Sequence, residues 1–122
     1  MANAINWFEI PATNFSRAKA FYSAIFDAEL AVQKIMNDQM AFLPAGEGGV
    51  GGAIIQGEGY TPSAEGTIPY LNGGSDLSTI LERVATAGGE VVLPKTQISE
   101  EIGYFAFFMD TEGNKIALHS PG

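Results

Sequence analysis

The chain has 122 residues, 46% of them hydrophobic, with one histidine, no cysteine and a formal net charge of −8; that length suits one globular domain whose core forms without disulfides or a structural metal. The missing cysteines exclude a disulfide framework, a thiolate zinc site, an iron–sulfur cluster and a cysteine nucleophile. Fourteen acidic side chains face six basic ones, and Arg17, Lys19, Lys34, Arg83, Lys95 and Lys115 are scattered singly, so no patch is available to neutralise nucleic-acid phosphates.

No stretch approaches the ~18 apolar residues of a membrane span, and Met1-Ala2-Asn3-Ala4 has neither the basic nor the apolar region of a leader. The expectation is a soluble, cytoplasmic protein with neither nucleic acid nor membrane as partner. Residues 5–10 (INWFEI) are rich in β-formers and stop at Pro11, which predicts a first strand. Asn14 is a candidate N-cap, and Ala18, Phe21, Tyr22 and Ile25 recur at helical spacing, predicting a helix over 16–26. Residues 29–32 and 40–43 read as short strands around a polar turn at Asn37-Asp38, and 51–56 as a further strand entered through glycines. Five glycines in 46–52 superficially suggest a phosphate loop. They lack the Lys-Ser/Thr ending and the strand–loop–helix setting, so a hairpin beside the next strand is the better reading.

Residues 57–66 hold three glycines, Pro62 and no apolar period, the composition of a connector. The pattern then restarts. Residues 67–72 predict a strand, Gly73-Gly74-Ser75-Asp76 a turn with a possible cap, and Leu77, Ile80, Leu81 and Val84 a helical face that Gly88-Gly89 ends. Residues 90–93, 104–109 and 115–119 supply three more strands, the last two joined by a hairpin loop at Asp110-Thr111-Glu112-Gly113-Asn114. Each half is therefore βαβββ, and aligning 26–30 with 87–91 superposes Trp7 on Ile68 and Glu9 on Tyr70. The predicted fold class is α+β: two βαβββ modules, about 1–57 and 67–122, within one domain spanning 1–122. A sheet with a helix on one face must bury the other face elsewhere, so the two sheets are expected to close into a cup with the helices outside.

Phe8-Glu9-Ile10-Pro11, then Arg17-Ala18-Lys19-Ala20-Phe21-Tyr22, Ala87-Gly88-Gly89 and Phe107-Phe108-Met109-Asp110-Thr111-Glu112-Gly113-Asn114-Lys115-Ile116 resemble the vicinal oxygen chelate superfamily, which includes glyoxalase I, extradiol dioxygenases, fosfomycin-resistance enzymes and bleomycin-resistance proteins. The likeness covers nearly the whole chain. The resemblance implies a divalent metal held by His, Gln or Glu from four strands, chelating adjacent substrate oxygens. Carried onto this chain, those ligand positions fall at Trp7, at Ile54 or Ile55, at Ile68 and at Ala117, all apolar. The implied metal set is thus missing, which disfavours metal-dependent glyoxalase, dioxygenase and fosfomycin-transferase chemistry. No metal ligands and no cofactor are assigned.

Strand alternation places residues two apart on one face. The expected cup lining is Trp7, Glu9, Ile54, Gln56, Ile68, Tyr70, Asn72, Ala117 and His119, an apolar basin with a few polar handles. Most of these have an ordinary packing role as the competing reading. Trp7 is large enough to serve as core or interface filler, or else to stack a ligand. Glu9 stands among apolar strand residues, where an unpaired carboxylate is costly to bury. Glu9 and His119 are the candidate catalytic residues: brought together, they could act as acid and base without metal. Phe105, Phe107 and Phe108 are assigned mainly to the sheet core. The leading expectation is a metal-independent homodimer that holds a small hydrophobic or cationic molecule in the cup, in the manner of bleomycin-resistance proteins. A glyoxalase-like lyase or isomerase moving a proton next to a carbonyl, and a structural pairing module, are the alternatives.

Overall fold

The computed structural model describes residues 3–122, so the reading of Met1-Ala2 as the start of a leaderless chain lies outside the described residues. The elements run β1 (Trp7–Pro11), α1 (Phe15–Phe26), β2 (Val32–Ile35), β3 (Asp38–Phe42), β4 (Gly51–Gln56), β5 (Tyr70–Asn72), α2 (Ser78–Val84), β6 (Glu90–Ser99), β7 (Gly103–Met109) and β8 (Lys115–Ser120). Both halves are βαβββ. The first half forms a sheet of order β1-β4-β3-β2 and the second a sheet of order β5-β8-β7-β6. In each, the first strand runs parallel to the last, and the remaining pairings are antiparallel hairpin neighbours.

Helix α1 begins where Asn14 Oδ1 accepts from the Arg17 N–H (3.1 Å) and ends where Asp27 turns into the left-handed region at φ 49°. Its buried residues Phe15, Ala18, Phe21, Tyr22 and Ile25 fall on one face. They join Ile10 and Ile54 from the first sheet and Ala106, Phe108, Ile116 and Leu118 from the second in one continuous core, to which α2 adds Ile80 and Val84. Burying one such aliphatic or aromatic side chain is worth roughly 1.5–3 kcal/mol, so this shared core is the main force holding the halves together. Phe21 also packs on Phe108 (5.9 Å between ring centroids) and lies where a side chain at Gly89 would be, 2.7 Å from the Cβ position.

The loop between β7 and β8 fastens the halves with polar contacts. Asp110 Oδ1 accepts from the backbone N–H groups of Glu112 and Asn114 (2.9 Å each), and its Oδ2 from the Tyr22 hydroxyl (2.7 Å). Asn114 Nδ2 donates to the Pro11 carbonyl (2.8 Å), and the Ser63 N–H donates to Asn114 Oδ1 (3.1 Å). Glu112 reaches the start of α1: its Oε1 accepts from the Thr13 and Asn14 N–H groups, and its Oε2 from Arg17 Nε at 2.6 Å. The closing Asp-Thr-Glu-Gly-Asn turn is therefore an interlock between the two sheets as well as a hairpin loop. Burial of Tyr22, seconded by Asp110, holds its phenol well above the ordinary range.

Several sequence-based boundaries move. The second strand is Val32–Ile35 rather than 29–32, because Leu30 is drawn into the core while Val32 opens the ladder opposite Ala41. The reversal after it falls at Met36, in the left-handed region at φ 57°, so Asp38 belongs to β3. β6 extends to Ser99 through three register irregularities. The cap position of helix α2, Leu77, offers no side-chain acceptor; Asp76, one residue before it, accepts through Oδ1 from the Ser78 N–H.

Candidate functional site

Each sheet turns one face to the helices and leaves the other open, and these open faces form the walls of the cup. In the first sheet the register Trp7↔Gly51, Glu9↔Ala53 and Pro11↔Ile55, continued by Phe42↔Ala53 and Met40↔Ile55, sets Trp7, Glu9, Met40, Phe42, Ala53 and Ile55 on the open face. In the second, Tyr70↔Ala117↔Phe107 and Asn72↔His119↔Phe105 form the matching rows. The strands β1 and β5 are the facing edges of two separate sheets. Between them lies a cavity of about 640 Å³, lined among others by Trp7, Glu9, Ile68, Tyr70 and Asn72. That volume lies within the range of small-molecule sites.

Of the nine expected lining residues, Ala117 and His119 are on the open face but outside the cavity, and two are on the opposite face. Ile54 pairs with Ile10 and is wholly buried in the helix-side core. Gln56, two residues on, shares that face, and its Oε1 accepts from the Phe15 N–H at 2.5 Å, satisfying a free donor in the first turn of α1. Both corrections have one cause: β4 is buried on both faces, so its residues carry no polar alternation to reveal which side is which. Its inward residue is Ile55.

Trp7 is 42% exposed and Tyr70 52% exposed. The Trp7 ring lies over Gly51, whose Cβ position is 3.3 Å from Cζ3, and meets Phe42 edge-on at 5.9 Å. Across the cavity, Tyr70 packs with Phe105 (6.5 Å) and Phe107 (6.2 Å), so two residues assigned from sequence to the core stand on the open face instead; only Phe108 is fully buried. Ala117 is buried beneath this cluster. Sequence reading also missed Tyr60, carried by the connector, which packs on the cluster of Met40, Ala53 and Ile55. Strict alternation through Phe105-Ala106-Phe107-Phe108 was the available signal for the phenylalanines; nothing local signalled Tyr60.

Glu9 is exposed on the open face rather than buried, so no desolvation forces it to find a partner. His119 faces the same way as Asn72 but is engaged: its Nε2 donates to the Ile102 carbonyl at 2.6 Å, which fixes the proton on Nε2. No hydrogen bond or ion pair joins Glu9 to His119 among the described residues, and only Glu9 lines the cavity. The candidate acid–base pair is thus not assembled.

The positions that the resemblance implies for the donors of a chelated divalent metal are Trp7, Ile54 or Ile55, Ile68 and Ala117, and of the two isoleucines Ile55 is the one on the open face. None has a lone pair suited to such an ion, and among the described residues no three His, Cys, Asp or Glu side chains converge. The donor chemistry does not fit a resident metal of that kind.

Comparisons with known proteins agree with this architecture. A protein from Didymella fabae described as a glyoxylase-like domain-containing protein is 32% identical over 93% of this chain and 91% of its own length. An antibiotic-binding protein from Streptomyces sp. CB03234 is similar in structure, with a TM-score of 0.69, 23% identity and coverage of 100% of this chain and 99% of that one. Glyoxalase I from Zea mays gives a TM-score of 0.68 at 14% identity, over 95% of this chain and 44% of the maize protein. Residues 4–118 match the family model for the glyoxalase/bleomycin resistance protein/dioxygenase superfamily, and the chain belongs to that superfamily.

Proposed function

We propose that this protein binds a small hydrophobic or cationic molecule in the cup, without a metal ion, as a homodimer. The observation that carries the reading is the 640 Å³ cavity between β1 and β5, edged by the exposed rings of Trp7 and Tyr70 and bordered by apolar side chains where a chelating site needs donors. A structural relative of low identity is described as an antibiotic-binding protein, which supports sequestration as the mode of action. The open aromatic face around Tyr70, Phe105 and Phe107 is a surface that a second copy would cover. The acidic, cysteine-free composition suits a reducing cytoplasm. Proton transfer by Glu9 and His119 is the weaker reading, because His119 is held by Ile102.

The test combines metal analysis, sedimentation and a thermal-shift screen on chelator-treated protein, using cationic aromatics and 2-oxoaldehyde adducts. A ligand present at one hundred times its Kd adds about 2.7 kcal/mol of stability, on the order of 10 °C for a chain of this size. The expected result is such a shift, unaffected by chelator, in a dimeric species. A stoichiometric divalent ion retained through purification and required for binding would refute metal independence, and a monomer under all conditions would refute the dimer.

A further inference from the structure

We infer that the ligand is an organic cation, its ammonium group received at Trp7 and Glu9, the two of these residues that line the cavity, on a wall of the first sheet that Phe42 and Tyr60 continue. This rests on the reading that the cup binds a small molecule and specifies which class it selects. Register and packing bring three rings to one open face: Trp7 and Phe42 in edge contact, and Tyr60 resting on Met40, Ala53 and Ile55. Glu9 is two residues along β1 from Trp7, and Asp38 is two residues along β3 from Met40, so both carboxylates belong to that same face. Aromatic faces beside a carboxylate attract a cation through the ring quadrupole and the formal charge together.

Among the described residues no ion pair joins Glu9 or Asp38 to a cation of the chain. Arg17 is bound to Glu112 and Lys95 to Asp76, and these are the ion pairs among the described residues. Arg83 donates to the Ile25 carbonyl. Lys34 sits opposite Gln39 in the register, on the other face of the sheet from Asp38. The second sheet differs: there Lys115 Nζ already lies 4.5 Å from the centre of the Phe107 ring. One wall of the cup thus carries its own cation on an aromatic ring, while the other presents rings and negative charge alone. The field of Glu9 reaches Tyr60: that carboxylate first, then burial, then Asp38, raises the Tyr60 phenol above its ordinary range.

Trp7 is the sole tryptophan, so its emission reports directly on this wall. Protein is titrated with benzyltrimethylammonium, uncharged benzyl alcohol and anionic benzenesulfonate, in wild type and in Glu9→Gln and Tyr60→Leu variants whose thermal unfolding is checked in parallel. The expected result is saturable quenching by the ammonium compound alone. Its Kd should rise about three- to fivefold in Glu9→Gln, the scale of an exposed charge pair, and also rise with added salt. Glu9 is exposed, so its replacement tests charge without disturbing the fold. Equal affinity for benzyl alcohol, or an unchanged Kd in Glu9→Gln, would overturn cation selection while leaving small-molecule binding intact. Silence from all three probes would overturn it too, and only a negative ligand screen as well would remove the binding reading beneath it.

Discussion

Replacing Glu112 with glutamine removes one charge from the contact that ties the β7–β8 turn to the start of α1, and leaves an oxygen that can still accept from Thr13 and Asn14. Burial opposes ionisation of Glu112, but the Arg17 guanidinium, the Asn14 N–H, the Thr111 hydroxyl and the Thr13 N–H outweigh it and bring the carboxyl down from 4.5 to about 2. At about 1.4 kcal/mol per pH unit this difference corresponds to about 3 kcal/mol. The Arg17 side chain is 50% exposed, and solvent screening there reduces the expectation to about 2 kcal/mol. Because the folded-state value is the lower one, the stabilisation is complete above pH 4.5 and is lost as the pH falls toward 2. Urea unfolding of wild type and Glu112→Gln at intervals from pH 7 to pH 2.5, at low salt, measures it. The stability gap should be about 2 kcal/mol at neutral pH, begin to close below pH 4.5 and fall to roughly a quarter of that size at the acid end. A gap that is absent at pH 7, or constant across the series, would show that Glu112 acts through packing rather than charge.

Tyr22→Phe removes a buried hydroxyl from Asp110 Oδ2 and should cost about 1.5–3 kcal/mol in chemical denaturation. Gly52→Ala places a Cβ inside the space of the Phe8 ring and should cost about 1–3 kcal/mol through overpacking. Adding Phe8→Leu should recover part of that loss, and strictly additive effects in the double variant would refute the steric account. Trp7→Ala, at a ring 42% exposed, should change stability by less than about 1 kcal/mol yet abolish or sharply weaken the thermal shift produced by any cup ligand found in the screen. Gln56→Leu removes the acceptor for the Phe15 N–H and should lower stability by about 1–2 kcal/mol without altering ligand affinity. A Gln56→Leu variant of full stability and lost binding would put that side chain back in the cup.

The repeated βαβββ order was legible because local chemistry announces it. A helical period runs through Ala18, Phe21, Tyr22 and Ile25, Asn14 supplies a cap, and glycine- and asparagine-bearing turns punctuate both halves. Alternation along β1 likewise put Trp7 and Glu9 on one face and Phe8 and Ile10 on the other, and the apolar identity of the residues at the expected metal positions is a fact of sequence alone. Other features depend on partners remote in the chain. Ile54 and Ile55 are equally apolar, and only pairing with β1 and β3 decides which faces inward; a slip of one residue exchanges them. Gln56 became a helix acceptor, His119 a partner of Ile102, and Tyr60 a neighbour of Met40, Ala53 and Ile55 through contacts that no local period encodes. Sequence determined the elements, their order and the missing metal donors, because propensity, capping and residue chemistry act over a few residues. Tertiary structure decided face, exposure and company, because these come from register and from the packing of segments that meet only once the chain has folded.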